Sequence, residues 1–151
     1  MTNMVSNRKH NSIKFAFLNV GGLQSQDSFK TSDPTFMNII NKYDIVFLAE
    51  THLGYGQLPS TIGSFYCHTV CRPISNHNNR HFGGLGILCK QNIKQHIKIL
   101  KNTCHDFQWL QLDKSYFGLQ EDLYICIVYD PPATSSYTLG LQYNILECLR
   151  T

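Results

Sequence analysis

The sequence holds no apolar run approaching the roughly 20 residues of a membrane-spanning helix, so no membrane partner is expected. Its start, residues 1–11, is a polar tail carrying Arg8, Lys9 and His10 with no apolar stretch behind it, so no secretory signal is predicted and an intracellular protein is expected. Charge is sparse. The 13 basic and 10 acidic residues leave +3, compatible with a polyanionic partner but without the dense Lys/Arg stripe that would demand one. Cys67, Cys71, Cys89, Cys104, Cys126 and Cys148 are scattered rather than paired, which favours reduced, buried thiols. The cluster Cys67, His68 and Cys71 lacks the second ligand pair of a structural zinc site. There is no linker, repeat or low-complexity segment, and 151 residues that are 42% hydrophobic suit one domain able to bury about two thirds of its unfolded surface.

What the chain does have is a set of short apolar runs that end on polar residues. The organising one is Ile45-Val46-Phe47-Leu48-Ala49, too short for an ordinary helix and rich in β-branched and aromatic types, which predicts a strand buried on both faces. It ends on Glu50-Thr51-His52. A carboxylate at the carboxyl end of a buried strand stands where open α/β sheets place ligands, and a merely solvated or paired strand cap is the competing account. Phe15-Ala16-Phe17-Leu18-Asn19-Val20 predicts an earlier strand stopped by Gly21-Gly22. Between them Asp33-Pro34 supplies a helix start, and Phe36, Ile39, Ile40 and Tyr43 recur at helical spacing. Strand, helix, strand makes a βαβ unit, with Asn19 and Glu50 side by side at parallel strand ends.

Four shorter runs follow, 64–68, 84–89, 96–100 and 107–112, and their polar boundaries predict antiparallel strands. The loop from Arg72 to His81 carries two arginines and two histidines without an acid; it suits contact with phosphates, and a solvated loop is the alternative. Trp109 is expected in the core or on a sheet face rather than as a base-stacking platform, and His105-Asp106 is read as a turn. A third strong strand, 123–129, stops at Asp130-Pro131-Pro132 and leaves Tyr129 at its end. From Ser135 or Ser136 a last helix is suggested by Leu141, Ile145, Leu146 and Leu149.

Taken in order, Leu18-Asn19-Val20-Gly21-Gly22, Leu48-Ala49-Glu50-Thr51-His52, Arg80-His81-Phe82-Gly83-Gly84-Leu85-Gly86, Trp109-Leu110-Gln111-Leu112 and Ile127-Val128-Tyr129-Asp130-Pro131-Pro132 resemble the endonuclease/exonuclease/phosphatase superfamily, and within it the apurinic-endonuclease-like domain that opens non-LTR retrotransposon polyproteins. The resemblance runs from about Ile13 to about Pro132. It implies an α/β fold, part of a four-layer α/β sandwich of DNase-like type, with residues 12–151 as a partial domain lacking its carboxyl-terminal half. It also implies Mg2+ and hydrolysis of a DNA phosphodiester. On matching positions, Glu50 looks like the metal ligand, Asn19 like the amide that helps hold the metal and phosphate, and Tyr129 like the phenol that orients the scissile phosphate. Arg72 and Arg80 fall in the neighbourhood of the nucleic-acid groove, and a retroelement origin would make the nucleus the expected compartment.

The family's Gly-Asp-x-Asn and Ser-Asp-His motifs, which supply the water-activating Asp and the phosphate-facing His, are both missing here. Losing them together should remove nearly all of the rate, so the chain is expected to be an inactive portion of the nuclease, with a bare sheet face prone to association. Two alternatives stand beside this: a non-catalytic nucleic-acid-binding remnant using the Arg72–Arg80 loop, and a phosphoesterase acting on a small phosphoester. The turn Asn19-Val20-Gly21-Gly22-Leu23 lacks the spaced third glycine of a nucleotide-binding loop.

Overall fold

In the computed structural model, which describes residues 12–74, 80–101, 104–131, 147 and 149–150, the strand read first in the sequence is buried at every position. The elements, in order, are β1 (Phe15–Asn19), α1 (Pro34–Ile40), β2 (Ile45–Ala49), β3 (Thr61–Ile62), β4 (Phe65–Val70), β5 (Leu85–Lys90), β6 (Ile97–Ile99), β7 (Phe107–Leu112), α2 (Lys114–Phe117) and β8 (Leu123–Val128). They form a mixed α/β structure dominated by two sheets. One has five strands in the order β1-β2-β5-β4-β3, the other three in the order β6-β7-β8. β1 and β2 run parallel, as a βαβ crossover requires, and the other pairings are antiparallel.

Alternation along the strands assigns two cores. Ile45, Phe47 and Ala49 of β2 and Leu85, Ile87 and Cys89 of β5 share one cluster with Leu110 and Leu112 of β7 and Ile127 of β8, so this cluster lies between the two sheets. Val46, Leu48 and Leu88 point the other way and pack with Ile40, Phe36 and Met37 of α1. α1 begins as the sequence predicts: the Asp33 carboxylate accepts from the Thr35 amide at 2.8 Å and Pro34 takes the first helical position. The same alternation separates the Cys67-His68 pair. Cys67 faces the α1 side, while His68 lines a cavity on the other face, so neighbouring residues of β4 cannot converge on one ion.

The antiparallel strands fall within a residue or two of their predicted places. The expected helix after Ser135, the tail 1–11 and the middle of the Arg72–His81 loop lie outside the described residues. None of the five described cysteines is in a disulfide. Trp109 is half-buried on a sheet face, as expected. Among the described residues no helix is long and apolar enough to cross a membrane.

Candidate functional site

The chain leaving β2 is held from both sides. On one side the Val20, Gly22 and Leu23 amides donate to the carbonyls of Ala49, Glu50 and Thr51 at 2.9, 2.6 and 2.9 Å; on the other, the Thr51 and His52 amides donate to Gly84 and Gly83 at 3.2 and 2.9 Å. Within this clamp Glu50 and His52 have φ of 56° and 55°, a left-handed conformation costing a non-glycine residue about 1–2 kcal/mol. Observed strain of this kind at a strand end points to a site. Gly84, at φ +84°, fits because a Cβ there would lie 2.5 Å from the Thr51 hydroxyl oxygen. That oxygen is buried and has no hydrogen-bond partner among the described residues.

The turn at Glu50 aims its side chain at the end of the other sheet. The Tyr129 hydroxyl, one residue past β8, donates to Glu50 Oε1 at 2.9 Å across 79 positions of sequence. Glu50 Oε2 lies 4.0 Å from His52 Nε2, and both side chains keep about a third of their surface or less in solvent, 27% and 31%. Burial lowers the His52 pKa below its ordinary value; Glu50 opposes that shift and Lys30 adds to it. The neutral imidazole is therefore favoured beside the carboxylate. Asn19 sits at the end of β1 opposite Ala49, and its carboxamide oxygen accepts from the Gly21 amide at 3.1 Å. Asn19 and Glu50 thus share one sheet end, as the sequence predicts, and Tyr129 reaches Glu50 from the second sheet.

The donor set suits a hard divalent cation in part. One carboxylate, with Oε2 held among the described residues by no closer contact than the imidazole, and one amide oxygen are what Mg2+ takes when waters and substrate oxygens complete its shell. Among the described residues no three His, Cys, Asp or Glu side chains converge as a metal cage.

Arg72 departs from expectation. It is not a loop cation facing solvent but is buried, 6% exposed, with its Nε donating to Asp106 Oδ1 at 2.5 Å. Its guanidinium also lies 5.8 Å from the centre of the Tyr129 ring. Asp106, read from sequence as part of a turn, is 2% exposed, and its carbonyl accepts from the Tyr129 amide at 2.7 Å. The Arg72–Asp106 pair therefore holds the phenol in place from both its backbone and its ring. Arg80 is exposed, at the border of the loop whose centre is outside the described residues. His81, its neighbour, lies against Gly54, where a Cβ would come within 2.5 Å of the ring, and its Nδ1 is 3.3 Å from the Arg72 carbonyl.

In comparisons with known proteins, neither a protein-family model nor a curated protein matches this chain.

Proposed function

We propose that this chain is the amino-terminal portion of a Mg2+-dependent endonuclease-like domain of the endonuclease/exonuclease/phosphatase type, retroelement-like in its motifs, and inactive without the remainder of that domain. The observation that carries the reading is the hydrogen bond from Tyr129 to Glu50, which joins the ends of two sheets at a carboxylate carried on left-handed backbone. In this reading Glu50 and Asn19 would hold the metal, and Tyr129, braced by Arg72 and Asp106, would turn its hydroxyl proton from Glu50 to a phosphate oxygen once the metal takes the carboxylate. A magnesium ion bound there would offset charge building on that oxygen. His52, kept neutral, can accept or donate one hydrogen bond beside Glu50 without adding a competing cation. The two-sheet cluster and the α1 layer support the four-layer, DNase-like sandwich as the finer architecture.

The need for a remainder has its own support. Phe15 and Phe17 pair with Ile45 and Phe47 on the face that meets the second sheet, yet they are 38% and 54% exposed, and neither is among the described residues of the cluster between the sheets. A non-catalytic DNA-binding reading is weaker, since burial of Arg72 against Asp106 removes one of the two arginines it relies on. DNA is the proposed substrate of the completed domain, in the nucleus if its origin is a retroelement.

The test is nicking of supercoiled plasmid with Mg2+, comparing this chain, its Glu50→Gln variant, and a version extended through the reading frame that follows it. The expected outcome is no nicking by the short chain and Glu50-dependent nicking by the extended one. Glu50-dependent nicking by the short chain would remove the requirement for a remainder. Silence from both would sink the nuclease reading.

A further inference from the structure

His52 stands beside the carboxylate in a pose that a hydrogen-bonding role does not account for. Between them Thr51 is fully buried against β5, its Cγ2 only 3.4 Å from where a Cβ at Gly86 would lie. With Thr51 wedged inward, Glu50 and His52 flank it in the same left-handed conformation, φ 56° and 55°, and their side chains meet. Nε2 of the ring lies 4.0 Å from Oε2 of the carboxylate. That is too long for a hydrogen bond. Two donors on one ion, each about 2.1 Å from it, stand roughly 3–3.5 Å apart, so a small side-chain rotation would let Oε2 and Nε2 share a cation.

The surroundings hold both groups ready for this. The His52 ring is edge-on to Phe82, with centroids 6.1 Å apart at 81°, and a Cβ at Gly22 would come within 3.3 Å of Nδ1. The ring is therefore confined with Nε2 turned toward Glu50. Tyr129 occupies the other carboxylate oxygen, Oε1, at 2.9 Å. Both side chains keep part of their surface in solvent, 31% for His52 and 27% for Glu50, which leaves room for waters to complete a shell. Carboxylate, amide and water oxygens are the donors of Mg2+, whereas imidazole nitrogen suits first-row transition ions.

We infer that His52 is a ligand of the same ion as Glu50, making a mixed carboxylate–imidazole centre that binds a first-row transition ion such as Zn2+ or Co2+ more tightly than Mg2+. The inference rests on Glu50 being a metal ligand, as read above, and adds to it the nitrogen donor and the selectivity that follows. Both donors belong to this chain, so the ion should bind without the remainder of the domain. Among the described residues no third His, Cys, Asp or Glu converges with them, so the affinity is that of a two-donor site assisted by Asn19 and water.

The probe is Co2+, titrated by calorimetry into the whole chain with its thiols reduced, with Mg2+ titrated in parallel. His52→Asn keeps a residue that tolerates left-handed backbone and exchanges the ring nitrogen for an amide oxygen. It should raise the Kd for Co2+ tenfold or more and move that for Mg2+ by less than about threefold. Glu50→Gln should weaken both ions. A second readout needs no variant: carbethoxylation of His52 by diethylpyrocarbonate, followed by peptide mass spectrometry, should be slowed by Co2+. An unchanged Co2+ Kd in His52→Asn, or an unprotected His52, overturns the mixed centre; if His52→Asn does not fold, protection alone decides. The metal reading is judged separately. Binding that needs Glu50 but not His52 leaves Glu50 a metal ligand and removes only this inference, whereas binding that is absent or indifferent to both residues removes the two together.

Discussion

At the scale of single residues, the Arg72–Asp106 pair is the contact whose loss should be felt most. Both partners are almost fully buried, so removing one leaves an uncompensated charge in the interior. Arg72→Ala should destabilise the chain by about 3–5 kcal/mol, read as a lower urea midpoint, whereas the double replacement Arg72→Met with Asp106→Leu should recover much of it. If the single and double variants melt alike, the pair is not the brace described. Titration acts in a narrower window. Burial lowers the pKa values of His52 and His68 from their ordinary 6.5, with Glu50 partly opposing it at the first and Gln108 at the second. The unfolded chain then binds more protons than the folded one below that pH, so their contribution to stability is intact above about 6.5 and is lost as pH falls through the folded values. Urea midpoints at pH 7.5 and 5.5 should show this decline, and His68→Gln should make it shallower. None of these pairings is legible in sequence. Asp106 lies 34 positions from Arg72, between His105 and Phe107, and its role exists once the ends of β4 and β7 come together. Glu50, Asn19 and Tyr129 were legible because each ends an apolar run, a signal contained within a few neighbours.

Elements follow the same division between local and distant causes. β2, β4, β5, β7 and β8 were readable because each is an apolar run of strand length closed by polar or turn residues, and α1 because Asp33-Pro34 opens a helical period. β3 has two residues, and α2 has four behind an Asp113 cap, too few to show any period. The left-handed turn at Glu50 was also hidden, since its cause is the paired backbone of Val20–Leu23 and Gly83-Gly84 rather than its own residue type. Two substitutions separate these effects. Asp33→Ala removes the cap of α1 and should cost about 1 kcal/mol, while Asp33→Asn should cost little, as a pair of thermal melts can decide. Gly84→Ala combines a positive φ with a 2.5 Å approach to Thr51; it should be far worse in the same melts, and it should also displace Glu50, so that on the proposed reading it lowers plasmid nicking by the extended version.

For the molecule as a whole, the exposed rings of Phe15 and Phe17 lie on β1, the outermost strand of its sheet among the described residues. Aromatic surface on an edge strand is a template for pairing with another chain. The isolated chain should therefore associate as its concentration rises, and Phe17→Lys should suppress that without lowering the melting temperature; sedimentation velocity across a tenfold range of concentration checks both. The clamp around residues 49–52 has a different bearing. Its amides and carbonyls belong to three separate stretches of chain, so no small local opening can release Thr51 or His52 to solvent. Their amide protons should exchange only when the entire five-stranded sheet comes apart, and the carboxylate's pose should last as long as the native state does, whether or not any chemistry is ever performed there.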